Sequence, residues 1–373
     1  MINWFKRNIG EEYVSEEDAS KMIYSSDASQ IEGKTVLVVR PGDAKEVHQI
    51  ILFVKRNHAN IVIRGGGTGL VGGAVPENSV VLDLSRMNKI LVHGIDFVIV
   101  EPGVILGDLN DILGDKMFPV IPASYKSCTI GGMIATNAVG TRAVKYGKTG
   151  NWVREVEIID GDGRSRKANL DDVIGKEGVT GVIVSAKLRI INKPKKRKVE
   201  MFKLDYLQEI MFKLREFEDV SAVEFINKKA AIISGLEEKY YLIVEKEDEE
   251  EGGSEYWKIR EDLYPKLASS GYPIIEDPKI DLANMEKFLK WLDENDIPSF
   301  GHISMGIIHP CFENENKLEE LYDMVSDLGG AVSGEHGIGI KKKRFASKEF
   351  KENIKKLKIK YDRDSVFNRG KLI

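Results

Sequence analysis

His302 and His309 lie seven apart in Gly301-His302-Ile303-Ser304-Met305-Gly306-Ile307-Ile308-His309-Pro310. In one unbroken strand an odd separation puts two side chains on opposite faces. A bend at Ser304-Met305-Gly306 brings both imidazoles to one point instead. The segment therefore reads two ways, as a shared metal site or as two imidazoles that are packed and hydrogen-bonded. A second stretch, Ser333-Gly334-Glu335-His336-Gly337-Ile338-Gly339, sets a carboxylate beside a histidine among three glycines. That is a poor place for core packing. Two histidines and a glutamate form a nitrogen-and-oxygen set suited to Zn²⁺ or Mn²⁺, with a position left open for substrate.

Another kind of chemistry is written in Arg64-Gly65-Gly66-Gly67-Thr68-Gly69-Leu70-Val71-Gly72-Gly73, which follows the short apolar run Asn60 to Ile63. Glycine lets the backbone take positive φ and admits a ligand without interference from Cβ atoms. Successive N–H groups can then share one concavity, which suits phosphate oxygens. No Gly-Lys-Ser/Thr closes the loop, so it is not a P-loop, and Leu70 occupies the sixth place of a G-x-G-x-x-G reading. A loop merely rich in turn residues is the competing reading. The second glycine-rich segment, Ser127-Cys128-Thr129-Ile130-Gly131-Gly132-Met133-Ile134-Ala135-Thr136-Asn137-Ala138-Val139-Gly140, tilts the choice toward a ligand.

Together with Val100-Glu101-Pro102-Gly103-Val104, Tyr146-Gly147 and the stretch Gly175 to Ile191, these segments resemble the FAD-binding domain of the vanillyl-alcohol oxidase and para-cresol methylhydroxylase family. The nearest branch in that resemblance holds the D-lactate and glycolate dehydrogenases. The resemblance implies an α+β chain with a two-subdomain FAD-binding domain over 1–192. It implies a ferredoxin-like α+β substrate cap over 193–330, and a segment 331–373 that returns to the FAD domain with a catalytic Glu-His pair. FAD contacts are implied for Arg64, Gly65, Gly66, Gly67, Thr68, Gly69, Leu70, Pro122, Ser127, Thr129, Gly132, Thr136, Asn137 and Val182. Relatives that bind FAD covalently carry histidine where Thr68 stands, so the flavin is expected to be noncovalent.

Carried over in the same way, His302, His309 and Glu335 become ligands of a divalent metal, Zn or Mn, and His336 the catalytic base. Arg260, in Trp257-Lys258-Ile259-Arg260-Glu261, becomes the grip on the substrate carboxylate, a task suited to a planar guanidinium; a helix-surface arginine is the other reading. The chain departs from the pattern where Ser304-Met305-Gly306-Ile307 replaces the family's Gly-Asp-Gly-Asn, removing polar groups from around the metal. It departs again at Phe367-Asn368-Arg369-Gly370-Lys371, where arginine replaces the proline of Asn-Pro-Gly-Lys.

The implied reaction is oxidation of a D-2-hydroxy acid of the D-lactate or glycolate class to the 2-oxo acid, with hydride transfer to FAD. Two alternatives stand beside it: a flavin-carrying electron-transfer subunit of a larger oxidase, and a same-fold FAD enzyme of the ether-lipid-synthesis type. The electron acceptor (quinone, cytochrome, electron-transfer flavoprotein or oxygen), a homodimer and a peripheral membrane contact are left open.

Length and composition fit this picture. A chain of 373 residues holds roughly two domains with full cores. Its net charge of −4 creates no positive field for nucleic acid. No apolar run approaches the ~18 residues of a membrane span. Met1 to Tyr13 carries Glu11 and Glu12 and lacks a signal-peptide core, so a cytoplasmic location is expected. Two cysteines are too few for a disulfide framework.

The elements that must position these residues are partly legible. Val36 to Val39 reads as a strand, Asp43 with Glu46 as a capping box, and Val47, Ile50, Ile51 and Val54 as one buried helix face. A β-α-β unit thus delivers the chain to the first glycine loop. Val153 to Asp160 and Arg164 to Lys167 predict a hairpin. Beyond Lys195 the expected order is mixed: helices at 207–217, 254–268 and 282–295, and strands near 199–204, 222–226, 230–234 and 240–244. The acidic run Glu245 to Glu251 reads as a solvated loop. Phe350, Ile354, Leu357 and Tyr361 are spaced to bury one face of a terminal helix while its lysines stay wet.

Overall fold

The computed structural model describes residues 1–247 and 250–373. The chain divides into two compact units, one made of 1–138, 148–192 and 336–373, the other of 139–147 and 193–335. The first unit is therefore discontinuous.

In the first unit, strands Lys34–Val39, Glu77–Asp83 and Ile61–Arg64 run parallel, with the short Val14–Ser15 antiparallel at the edge. The helix Ala44–Arg56 makes the crossover. Asp43 caps it by accepting from the Glu46 N–H at 2.8 Å, and the Glu46 carboxylate accepts from the Gly42 N–H at 2.7 Å. Val47, Ile50, Ile51 and Val54 are buried against this sheet. A second sheet is antiparallel, in the order Ile90–His93, Phe97–Val100, Val182–Arg189, Val153–Ile159, Ser165–Lys167. Val182, expected at the cofactor, has its side chain in the hydrophobic core beside Leu82 and Ile159.

The second unit is built on one antiparallel sheet in the order Arg197–Leu204, Tyr240–Glu247, Ala222–Ile226, Ser299–Gly301, His309–Phe312, Ile274–Ile275. Its helices include Leu207–Leu214, Ser254–Ser269 and Leu282–Glu294. Residues 230–234, expected as strand, lie instead in and just after the helix Lys228–Ile233. Asn227 caps that helix by accepting from the Ala230 N–H at 3.0 Å, and Ala230-Ala231 favours it.

The acidic run also departs from expectation. Glu245 and Glu247 belong to the strand Tyr240–Glu247, and the Glu245 carboxylate takes a bidentate grip from Arg142, at 2.6 and 2.8 Å. Lys145 reaches Glu247 at 2.8 Å. Alternation along the strand turns the two carboxylates to one face, where cations of the inserted segment 139–147 meet them. Positions 248 and 249 of that run lie outside the described residues. In the terminal helix Lys348–Tyr361, Lys358 is not wet: it is buried, bonding Asp362 at 2.8 Å and the Phe367 carbonyl at 2.6 Å. Cys128 and Cys311 are both buried free thiols. Among the described residues no helix is long and apolar enough to cross a membrane.

Candidate functional site

The first unit brings the two glycine-rich segments together. A Cβ on Gly65 would lie 2.3 Å from the Thr129 hydroxyl, and one on Gly66 only 2.0 Å from the Ser127 carbonyl. Side chains there would force the segments apart, so both positions need glycine. Arg64 braces the loop, bonding the Ser26 carbonyl at 2.7 Å and lying over the Tyr24 ring. The backbone N–H groups of Gly66 to Gly73 have no acceptor among the described residues. Folded chains pair nearly all their buried backbone donors, and within this run Val71 and Gly72 are buried. Several carbonyls of the loop are held: Gly67 by the Ala28 N–H at 3.0 Å, Val71 by the Ile340 N–H at 2.8 Å. In a trans peptide the following N–H points the opposite way, so Thr68 and Gly72 present theirs on the other side. This is the anatomy of an anion cradle.

The polar side chains of the second segment are largely spent on local structure. Thr129 caps the helix Ile130–Thr136, accepting from the Gly132 N–H at 3.3 Å. The Thr136 hydroxyl donates to the Gly132 carbonyl at 3.1 Å, and Ser127 to the Ser124 carbonyl at 3.2 Å. Asn137 adopts a left-handed φ of 51° and accepts from the Gly150 N–H at 2.9 Å. The Pro122 carbonyl closes a turn with the Tyr125 N–H at 3.0 Å. Leu70 lies on the loop itself. The groups this unit leaves on offer are therefore mainly backbone.

The second unit holds the opposite kind of site. His302, His309 and Glu335 offer ligand atoms that all lie within 4.8 Å of one another. The spacing of seven works because the chain turns back. After Ser299–Gly301, residues Ile303–Met305 form a 3₁₀ turn closed by Gly306 at φ 73°, and Phe300 then pairs with His309 across the hairpin. Directly opposed residues share a face, so an odd separation across a hairpin means the same side, not the opposite one. A Cβ at Gly306 would meet the Ile280 carbonyl at 2.2 Å, which explains the glycine.

Each imidazole is held from behind. His309 Nδ1 donates to the Glu276 carbonyl at 3.2 Å; a carbonyl can only accept, so Nδ1 carries a hydrogen and Nε2 is the nitrogen that can ligate. His302 Nδ1 donates to the Glu224 carboxylate at 2.5 Å. The two Nε2 atoms then meet the Glu335 carboxylate, at 3.4 Å from His302 and 3.2 Å from His309. Asp277, buried, fixes the turn carrying Glu335 by accepting from the Ser333 hydroxyl (2.8 Å) and the Gly334 and Glu335 N–H groups (3.1 and 2.7 Å). Two neutral-capable imidazoles with backed Nδ1 atoms and one carboxylate fit a divalent cation in charge and donor type.

Arg260 is where the helix Ser254–Ser269 meets this cluster. Its Nε bonds the buried Glu224 carboxylate, and its guanidinium lies over the Phe300 ring, 4.7 Å from the centroid. That edge of the fork is committed inside the protein. Burial alone would raise the Glu224 carboxyl, but the charges of Arg260 and His302 outweigh it and hold it down near 2. Burial would lower His302; Glu224, then Glu335, override that and raise it to about 10.

His336, the residue after Glu335, opens the return to the first unit. The chain beyond it is pinned by Glu177, whose buried carboxylate accepts from the Ile338 and Gly339 N–H groups at 2.7 and 3.0 Å. Sequence reasoning missed Glu224, Glu276, Asp277 and Glu177. Glu224 alone left a signal, a single acid inside the apolar run Ala222 to Ile226. Glu276 and Asp277 are adjacent buried acids.

Residues 35–169 match the model of the FAD binding domain, and 212–372 match that of the FAD linked oxidases, C-terminal domain. Among curated proteins the chain is similar to D-2-hydroxyglutarate dehydrogenase of Xanthomonas citri pv. viticola, at 28% identity over 90% of this chain and 88% of that one. It is 26% identical to the glycolate oxidase subunit GlcD of Bacillus subtilis, over 97% of this chain and 94% of the other. With D-lactate dehydrogenase of Archaeoglobus fulgidus it shares 28% identity over 90% and 91% of the two chains. A solved alkyldihydroxyacetonephosphate synthase shares the fold, with a TM-score of 0.69 over 99% of this chain and 84% of that one, at 14% identity. The paired glycine-rich loops and the two matched domains agree: this chain belongs to the FAD-linked oxidases of the vanillyl-alcohol oxidase and para-cresol methylhydroxylase family.

Proposed function

We propose that the chain oxidises a D-2-hydroxy acid of the D-lactate or glycolate class to its 2-oxo acid, with His302, His309 and Glu335 holding a divalent metal and His336 serving as base. The observation that carries this reading is the convergence of two backed Nε2 atoms on the Glu335 carboxylate, in a chain whose other unit is an FAD-binding domain. FAD, when bound, supplies the acceptor for the hydride leaving C2. His302, His309 and Glu335 would hold the cation, which would lower the pKa of the substrate hydroxyl. His336 takes the hydroxyl proton, delivered next to Glu335 because adjacent Cα atoms are only about 3.8 Å apart. Glu224 orients His302, and Arg260 keeps Glu224 ionised. The Nη groups of Arg260, for which no hydrogen bond is found among the described residues, are the part that can reach a carboxylate. Thr68 offers no nucleophilic imidazole to the flavin, so FAD is bound noncovalently. Turnover is completed by an external electron acceptor, a quinone, cytochrome, electron-transfer flavoprotein or oxygen.

The test is anaerobic reduction of the purified yellow protein by D-lactate and glycolate, with metal content measured on the same sample. Loss of the flavin's visible absorbance on adding one of them is expected. Metal-loaded, yellow protein that no 2-hydroxy acid bleaches would overturn the reading and favour the electron-transfer subunit.

A further inference from the structure

The diphosphate loop and the segment after His336 are separated by hundreds of residues, yet one short stretch near the end of the chain bonds to both. On one side it grips the loop and its feeding strand. Phe367 bridges Ile61 in parallel, and the Asn368 N–H donates to the Ile61 carbonyl at 2.8 Å. The Asn368 side chain accepts from the Ile63 N–H at 3.1 Å, just before the loop begins. Lys371, 1% exposed, donates from one ammonium to the Gly73 carbonyl at 2.7 Å and the Val75 carbonyl at 2.6 Å, where the loop ends.

On the other side the same stretch grips the chain that leaves His336. The Asn368 amide donates to the Glu177 carbonyl at 2.6 Å, while the Glu177 carboxylate holds the Ile338 and Gly339 N–H groups. The Leu372 N–H donates to the Gly339 carbonyl at 3.0 Å, and Lys343 to the Gly370 carbonyl at 2.9 Å. A buried ammonium is costly unless its donors are met. Here the acceptors are carbonyls at the mouth of a loop whose own N–H groups, Gly66 to Gly73, have no acceptor among the described residues.

We infer that Phe367 to Leu372 is a clasp that positions the FAD diphosphate loop and the His336 segment together, with Lys371 and Asn368 as its positioning residues. Holding the backbone at both ends of a glycine loop, through the Ile63 N–H at its entry and the Gly73 and Val75 carbonyls at its exit, cuts the conformational entropy that ordering it around an anion would otherwise cost. Because one clasp serves both segments, FAD binding and the order of residues 337–343 are linked, and linkage is reciprocal. The inference rests on FAD as the occupant of the loop.

The experiment is FAD titration of deflavinated full-length protein, followed by flavin fluorescence, with hydrogen exchange of 64–75 and 337–343 measured with and without FAD. Lys371→Met keeps the stem and loses both bonds. Asn368→Gly keeps the left-handed backbone, at φ 43°, and loses the side-chain bonds. Wild type should gain protection in both segments on binding FAD. The variants should bind FAD about tenfold or more weakly and should lose the added protection at 337–343 even when saturated. If Lys371→Met does not fold, Asn368→Gly decides. Variants that match wild type in affinity and in protection would overturn the clasp; a wild type that takes up no FAD would instead remove the reading beneath it.

Discussion

The two candidate sites of this chain are built by opposite means. In the first unit the groups on offer are backbone N–H groups of Gly66 to Gly73, and nearby hydroxyls cap and brace local structure. In the second, three side chains converge, each oriented by a buried partner behind it: Glu224, the Glu276 carbonyl, and the Asp277-held turn. The difference teaches where each site is vulnerable. A backbone site fails when a side chain is added, and a side-chain site when one is removed.

The sharpest break in that contrast is Glu335→Gln. Losing the anionic ligand should empty the metal site and cut turnover by about 10³-fold or more, while FAD stays bound; metal analysis and the flavin spectrum check both halves. Loss of flavin along with metal would mean that the sites are not independent. Gly66→Ala is the converse. Its methyl would sit 2.0 Å from the Ser127 carbonyl, so FAD affinity should fall about 10- to 100-fold with metal binding intact.

Acidity separates the sites further. In the metal-free protein His302 is raised from 6.5 to about 10. A raised base stabilises the fold fully below the unfolded value and loses that contribution as pH rises toward the folded one. Metal-free protein should therefore lose thermal stability between about pH 6.5 and 10, and metal binding should tighten by about tenfold per pH unit while releasing one proton per ion. Titration calorimetry in two buffers of different ionisation enthalpy reads the proton; no release would mean that His302 is neutral before the ion arrives. The smallest effect is expected at Thr68→Ala, which removes a hydroxyl from a cradle made of backbone. FAD affinity should change by no more than about threefold. A larger loss would show that side chains matter in the first unit too.

How much was legible follows from the same contrast. The glycine loops, Asp43 with its helix, and the pair Glu335-His336 are local patterns, and local patterns survive in a one-dimensional reading. The strand misassigned at 230–234 was decided by Asn227, whose side chain caps the helix and also bonds the Ile297 carbonyl at 2.9 Å, far along the chain. The buried Glu245 was unreadable because Arg142, its partner, is about a hundred residues away.

By itself the sequence determined the chemistry on offer: a loop free to turn its N–H groups outward, because glycine takes the positive φ of Gly67 and Gly72 without a Cβ penalty, and histidines with a carboxylate of the right donor type. Tertiary structure decided what those groups became. The hairpin at Gly306 converted an odd spacing into a shared face, Glu224 and the Glu276 carbonyl chose which imidazole nitrogens point at Glu335, and Lys371 fixed the exit of the glycine loop. Each of those outcomes depends on contacts between residues distant in the chain, and only packing brings such residues together.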